Sequence, residues 1–100
     1  MDKLTKQDIL EYFSSKKDEL YKKYGLVKVG LFGSFARDEQ SSNSDIDLAI
    51  ELEKDKKSLH TFLGLKRELE SAFKRKVDLG IEKTIKPIAK KFIEKEIIYV

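Results

Sequence analysis

Apolar residues recur at helical spacing over residues 5–24, where Ile9, Leu10, Tyr12, Phe13, Leu20 and Tyr24 would share one face. Thr5 with Asp8 three positions on offers a capping box, and Gly25 offers a left-handed stop. The period then falls to two. Over residues 26–32, Val27, Val29 and Leu31 alternate with Lys28, Gly30 and Phe32, which predicts a strand with the first set turned inward. Gly33-Ser34 breaks that strand, and residues 35–38 are expected as a short helix capped by Ser34. The polar stretch 39–44 reads as a loop. Residues 45–51 form the next expected strand, with Ile46, Leu48 and Ile50 opposite Asp45, Asp47 and Ala49. After a charged turn at 53–57, residues 58–74 read as a helix burying Leu59, Phe62, Leu65, Leu69, Ala72 and Phe73. In the strand expected at 76–81, Val77, Leu79 and Ile81 face one way and Asp78 the other. A third long helix over 84–96, with Pro87 near its start, and a β-rich tail at 97–100 complete the pattern. That tail reads either as an edge strand or as a helix end docked on the sheet.

This alternation predicts an α/β (α+β) fold, a small sheet covered by helices, in one domain spanning residues 1–100. No internal repeat, linker or low-complexity segment interrupts it. The chain has no cysteine, which excludes disulfides and thiolate zinc sites, and its one histidine, His60, excludes a multi-histidine metal site. No apolar run approaches a membrane span or a signal-peptide core, so the expected location is the cytoplasm. The formal charge of +3, with both signs interspersed, makes no case for nucleic acid as a direct substrate.

The chemistry lies in Gly33-Ser34, ten further residues, then Asp45-Ile46-Asp47. Two carboxylates two positions apart on a strand point to one face and repel each other unless a cation sits between them. Mg²⁺ suits such a pair, because it takes one or two carboxylates and fills its other positions with water and phosphate oxygens. The Gly-Ser turn offers main-chain N–H groups to an anion. A phosphate cradle beside a metal clamp points to chemistry on a nucleoside triphosphate. Asp78 stands opposite the apolar residues of its own strand, as Asp45 and Asp47 do of theirs, so all three can share the open face of the sheet. Asp78 would complete the metal site or accept a proton from an attacking hydroxyl. Arg37 is open to two readings, a surface arginine or a neutraliser of triphosphate charge. Ser44 caps the turn before Asp45 or is simply loop. His60 and the four tyrosines read as solvated or packing residues.

At Gly33-Ser34-Phe35-Ala36-Arg37 and Ser44-Asp45-Ile46-Asp47-Leu48 the chain resembles the minimal nucleotidyltransferase (MNT) family of the DNA polymerase beta-like superfamily. The similarity continues through Lys76-Val77-Asp78-Leu79 and the C-terminal ending. The resemblance implies a nucleotidyltransferase fold, Mg²⁺ as one or two ions, and ATP as substrate. It implies that Asp45 and Asp47 bind metal and that Asp78 is the third catalytic carboxylate; on the reading of the residues themselves, Asp78 is also a candidate metal ligand, and Gly33, Ser34 and Arg37 are the candidate nucleotide contacts. It implies a partner as well: an MNT antitoxin transfers AMP to a tyrosine of a HEPN-domain toxin and silences it. One departure is visible, since many relatives carry Gly where this chain has Asp38. Two further readings are an antitoxin that neutralises its partner by complex formation alone and, less favoured by the chain's size, a transferase acting on a small molecule or RNA.

Overall fold

The computed structural model describes residues 4–84, 91 and 93–100. Helix α1 (Lys6–Tyr24) begins at a reciprocal cap. The Thr5 hydroxyl accepts the Asp8 N–H at 3.2 Å, and the Asp8 carboxylate accepts the Thr5 N–H at 3.0 Å. Gly25 ends the helix at φ 69°, a conformation that costs glycine little, and its N–H donates to the carbonyls of Leu20 and Tyr21. There follow β1 (Leu26–Phe32), β2 (Ile46–Leu52), α2 (Leu59–Phe73), β3 (Val77–Ile81) and β4 (Ile98–Tyr99), with short 3-10 turns at Lys54–Lys56 and Glu82–Thr84.

The four strands form one mixed sheet in the order β3-β2-β1-β4. β2 and β3 run parallel, and α2 is the crossover that such a pair requires. β1 pairs antiparallel with β2 on one side and with β4 on the other, where Gly30 stands opposite Tyr99 and Leu31 opposite Ile98. The C-terminal tail is therefore an edge strand. The expected helix over 84–96 falls largely on residues 85–90 and 92, Pro87 included, which lie outside the described residues.

Both helices bury their apolar faces against the sheet. Ile9, Phe13 and Leu20 of α1 and Leu65 and Leu69 of α2 share a core with Val29, Leu31, Ile46, Leu48, Ile50, Val77 and Leu79. Phe73 stacks edge-on to Tyr12, and Tyr24 and Lys23 both donate to Glu68 Oε1, at 2.7 and 3.1 Å, locking α1 to α2.

Three details of the apolar pattern are corrected. Val27 is 43% exposed, because the β1–β2 register shifts between Leu26 and Lys28 and this bulge turns Leu26 inward instead. Leu59 and Ala72 are exposed; both sit in terminal turns of α2, so its buried stripe is shorter than its pattern. β2 begins at Ile46, which leaves Asp45 just ahead of the strand. Among the described residues no helix is long and apolar enough to cross a membrane.

Candidate active site

β1 delivers the chain into a tight turn at Gly33. Its φ of 78° belongs to the left-handed region that favours glycine. Space demands glycine as well, since a Cβ at this position would lie 2.9 Å from Asp47 Cγ and overlap its carboxylate. The turn and the acidic strand are thus in direct contact. The expected short helix at 35–38 is not formed. The Arg37 N–H bonds the Gly33 carbonyl, the Asp38 N–H that of Phe35 and the Glu39 N–H that of Ser34, at mixed spacings that no regular helix has. Among the described residues, the N–H groups of Ser34, Phe35 and Ala36 have no main-chain acceptor. They remain available to an anion, as the first donors of a helix would be.

The carboxylates come from three neighbouring positions. Asp47 of β2 stands in register with Asp78 of β3 across a parallel pair, so both side chains leave the same face of adjacent strands, roughly 4.8 Å apart. Asp45, two residues before Asp47 and just ahead of the strand, is exposed and close enough for its charge to act on Asp47. Asp47 is half-buried, and its pKa is pushed up to about 6. Burial is the first cause, followed by the negative charges of Asp78 and Asp45; Arg37 draws it part of the way back. A carboxylate held this far above its ordinary range lacks compensating positive charge. A hard divalent cation would supply it, and oxygen donors are the set such a cation takes. Among the described residues no three acidic or imidazole side chains converge as a ready-made cage. Mg²⁺ does not need one, because phosphate oxygens and water fill its remaining positions.

Arg37 is close enough for its charge to act on Asp47, but its guanidinium is already engaged. Its Nε donates to Glu39 at 2.7 Å and its Nη1 to Glu96 at 2.6 Å, and these two partners hold the guanidinium charged. Asp38 takes a φ of 57°, the conformation in which a glycine is expected, and its carboxylate pairs with Lys6 at 3.0 Å. The extra carboxylate thus turns to α1. Ser44 closes its own loop, accepting the Ser41 N–H at 2.8 Å and donating its N–H to the Ser41 carbonyl at 3.2 Å. The loop side of Asp45 opens on a cleft of about 770 Å³, also lined by Gln40, Asn43, Lys74 and Lys76, a size within the range of small-ligand sites. His60 is exposed and on α2, far along the chain from the acidic strands. Glu96 and Arg75 were not singled out by the pattern of the sequence. Their contacts span 59 and 31–34 residues, and no local spacing announces them.

A mixed sheet with helices on one face, a Gly-Ser turn at the end of one strand and paired carboxylates on the next two define the nucleotidyltransferase class. The profile of the nucleotidyltransferase domain family matches residues 10–100, and the chain belongs to that family. It is 32% identical over 100 residues, the whole of both chains, to the protein adenylyltransferase MntA of Thermococcus cleftensis. A Methanocaldococcus jannaschii protein provisionally named a protein adenylyltransferase is 40% identical over 98 residues, 96% of this chain and 98% of its own. A solved structure provisionally described as a minimal nucleotidyltransferase superimposes with a TM-score of 0.80 at 26% identity, covering 98% of each chain. A toxin–antitoxin complex with AMP-PNP follows at TM-score 0.68 and 25% identity, covering 85% of this chain and 69% of that one. An MNT antitoxin bound to the tri-AMPylated HEPN toxin of Shewanella oneidensis shares the fold, with TM-score 0.61 at 21% identity over 89% of this chain and 69% of that one.

Proposed function

We propose that this protein is an antitoxin that transfers AMP from ATP, with Mg²⁺, to a tyrosine hydroxyl of a HEPN-domain toxin in the cytoplasm. The observation that carries the reading is the contact between the Gly33 turn and Asp47, with Asp78 in register beside it. A triphosphate in the turn would face a carboxylate pair across a few ångströms, an arrangement that holds together only with a cation between them. The relatives named as adenylyltransferases and the AMP-PNP and HEPN complexes support the donor and the partner.

Asp45 and Asp47, with Asp78, would hold Mg²⁺, which supplies neutralisation of phosphate charge and orientation of the reacting oxygens. The N–H groups of Ser34, Phe35 and Ala36, with the Ser34 hydroxyl, bind the β- and γ-phosphates. Asp78, the exposed member of the register pair, accepts the proton of the incoming hydroxyl. The hydroxyl oxygen bonds to the α-phosphorus, the α–β bridging bond breaks, and pyrophosphate leaves in line. Arg37 would exchange one carboxylate partner for phosphate oxygen as the nucleotide enters.

The test is the intact mass of the HEPN partner after incubation with this protein, ATP and Mg²⁺, beside the Asp45→Asn/Asp47→Asn variant. AMP-sized increments with the native protein alone are expected. An unmodified partner in a stable complex with both versions would replace catalysis with neutralisation by binding.

A further inference from the structure

Arg75 lies three residues before Asp78 in the approach to β3, and its guanidinium is spent on the main chain of a distant loop. Nη1 donates to the carbonyl oxygens of Ser41, Ser42 and Ser44 at 3.3, 3.1 and 2.9 Å. The same guanidinium lies 5.2 Å from the centroid of the Phe35 ring, which is fully buried directly after Gly33-Ser34. One side chain thereby joins the three segments that carry the site: the Gly-Ser turn through Phe35, the serine loop through its carbonyls, and β3 through its own backbone. The shortest of the three hydrogen bonds has a specific consequence. The Ser44 carbonyl belongs to the peptide that leads into Asp45, so holding that oxygen sets the plane from which the Asp45 side chain departs. On the other side of Asp45, the Ile46 N–H bonds the Lys76 carbonyl at 3.0 Å. Asp45 itself is exposed and precedes the strand, so little else fixes it.

We propose that Arg75 is a positioning residue of the metal site, fixing the Ser44–Asp45 peptide, and with it the Asp45 carboxylate, against the Gly-Ser turn and the strand of Asp78. The proposal rests on the reading of Asp45 as a metal ligand. Loss of the three hydrogen bonds frees the loop and lets the carboxylate sample directions that do not meet the cation. Groups that orient a metal ligand from behind typically contribute roughly 10–100-fold in affinity. Lysine at this position keeps a cation with several donors at one nitrogen but cannot stack on Phe35; methionine keeps the apolar stem and removes every donor.

The experiment titrates Mn²⁺, an oxygen-seeking stand-in for Mg²⁺, into the full-length protein without acceptor and follows free Mn²⁺ by electron paramagnetic resonance. Wild type, Arg75→Met, Arg75→Lys and Asp45→Asn are compared, with circular dichroism and melting curves showing that each is folded. Arg75→Met should weaken Mn²⁺ binding about ten-fold, and Arg75→Lys should recover most of the loss. In the transferase assay the Arg75→Met deficit should shrink as Mg²⁺ is raised, which a general loss of structure would not do. Folded Arg75→Met that binds Mn²⁺ like wild type overturns the proposal while leaving the Asp45 assignment intact. Wild type that binds no better than Asp45→Asn overturns the metal reading, and the role of Arg75 with it. If Arg75→Met does not fold, Arg75→Gln, whose donor is too short to reach the loop, decides by the same comparison.

Discussion

Asp47 concentrates the conflict that the site is built around. Its carboxylate is half-buried, touches the Gly33 turn and faces two further carboxylates. The folded pKa of about 6 lies above the ordinary 3.8, so the folded protein binds this proton more tightly than the unfolded chain does. The resulting stabilisation is fully present below the unfolded value and is lost as pH rises through about 6. Without metal, Asp47→Asn should therefore melt above wild type at about pH 7.5, with the advantage shrinking toward about pH 4. Mg²⁺ should raise the melting temperature of wild type near neutral pH and leave that of Asp47→Asn nearly unchanged. Melting curves with Mg²⁺ or with EDTA at both pH values check this; a variant less stable than wild type at neutral pH in EDTA would contradict the account. The Asp-x-Asp pair was legible in the sequence from its spacing after Gly33-Ser34, although Asp45 proves to lie just ahead of the strand. The rise in pKa was not, because it needs Asp78 and the burial that folding imposes.

Among the elements, the turn at 33–38 departs most from its pattern. Ser34 and the residues after it suit a helix start, yet Asp38 in a left-handed conformation closes the segment as a turn. That conformation is one glycine adopts at little cost. Asp38→Gly should be near neutral in stability, because relief of the left-handed backbone offsets a solvent-exposed ion pair to Lys6. Asp38→Ala should be about 1 kcal/mol less stable than Asp38→Gly, since both lose the pair but only alanine keeps the strained φ. Urea denaturation of the two variants measures the difference, and unchanged AMP transfer by Asp38→Gly would confirm that the carboxylate turns away from the phosphates. The bulge that exposes Val27 is a second departure, with a different cause. Strict alternation identifies a strand, but a register shift of one residue is set by the partner strand and leaves no mark in local spacing.

Across the whole molecule the two faces of the sheet divide the work. The helix-packed face carries the core, where Leu65 and Leu69 are fully buried against the strands. The other face carries the carboxylates. Leu65→Ala should cost about 2–5 kcal/mol, a large part of the roughly 5–15 kcal/mol expected for a domain of this kind. Transfer measured well below its melting point should persist. Asp45→Asn should show the reverse, a stable fold without transfer. Melting curves and single-turnover rates on the same preparations separate the two; loss of both properties in either variant would mean that the faces are coupled.

Periodicity and caps were sufficient for the two long described helices, the strands and the class of fold, and the Gly-Ser and Asp-x-Asp spacing for naming candidate site residues, because each depends on neighbours within a short stretch of chain. Strand order, the Asp47–Asp78 register, the contact of Gly33 with Asp47, and the grip of Glu96 on Arg37 and of Arg75 on the loop were settled only by the tertiary structure. Each of these joins segments separated by more than ten residues. Which of many lysines, arginines and glutamates meets which partner follows from how the sheet assembles, and a charged residue looks the same in the sequence whether it is solvated or holds the site together.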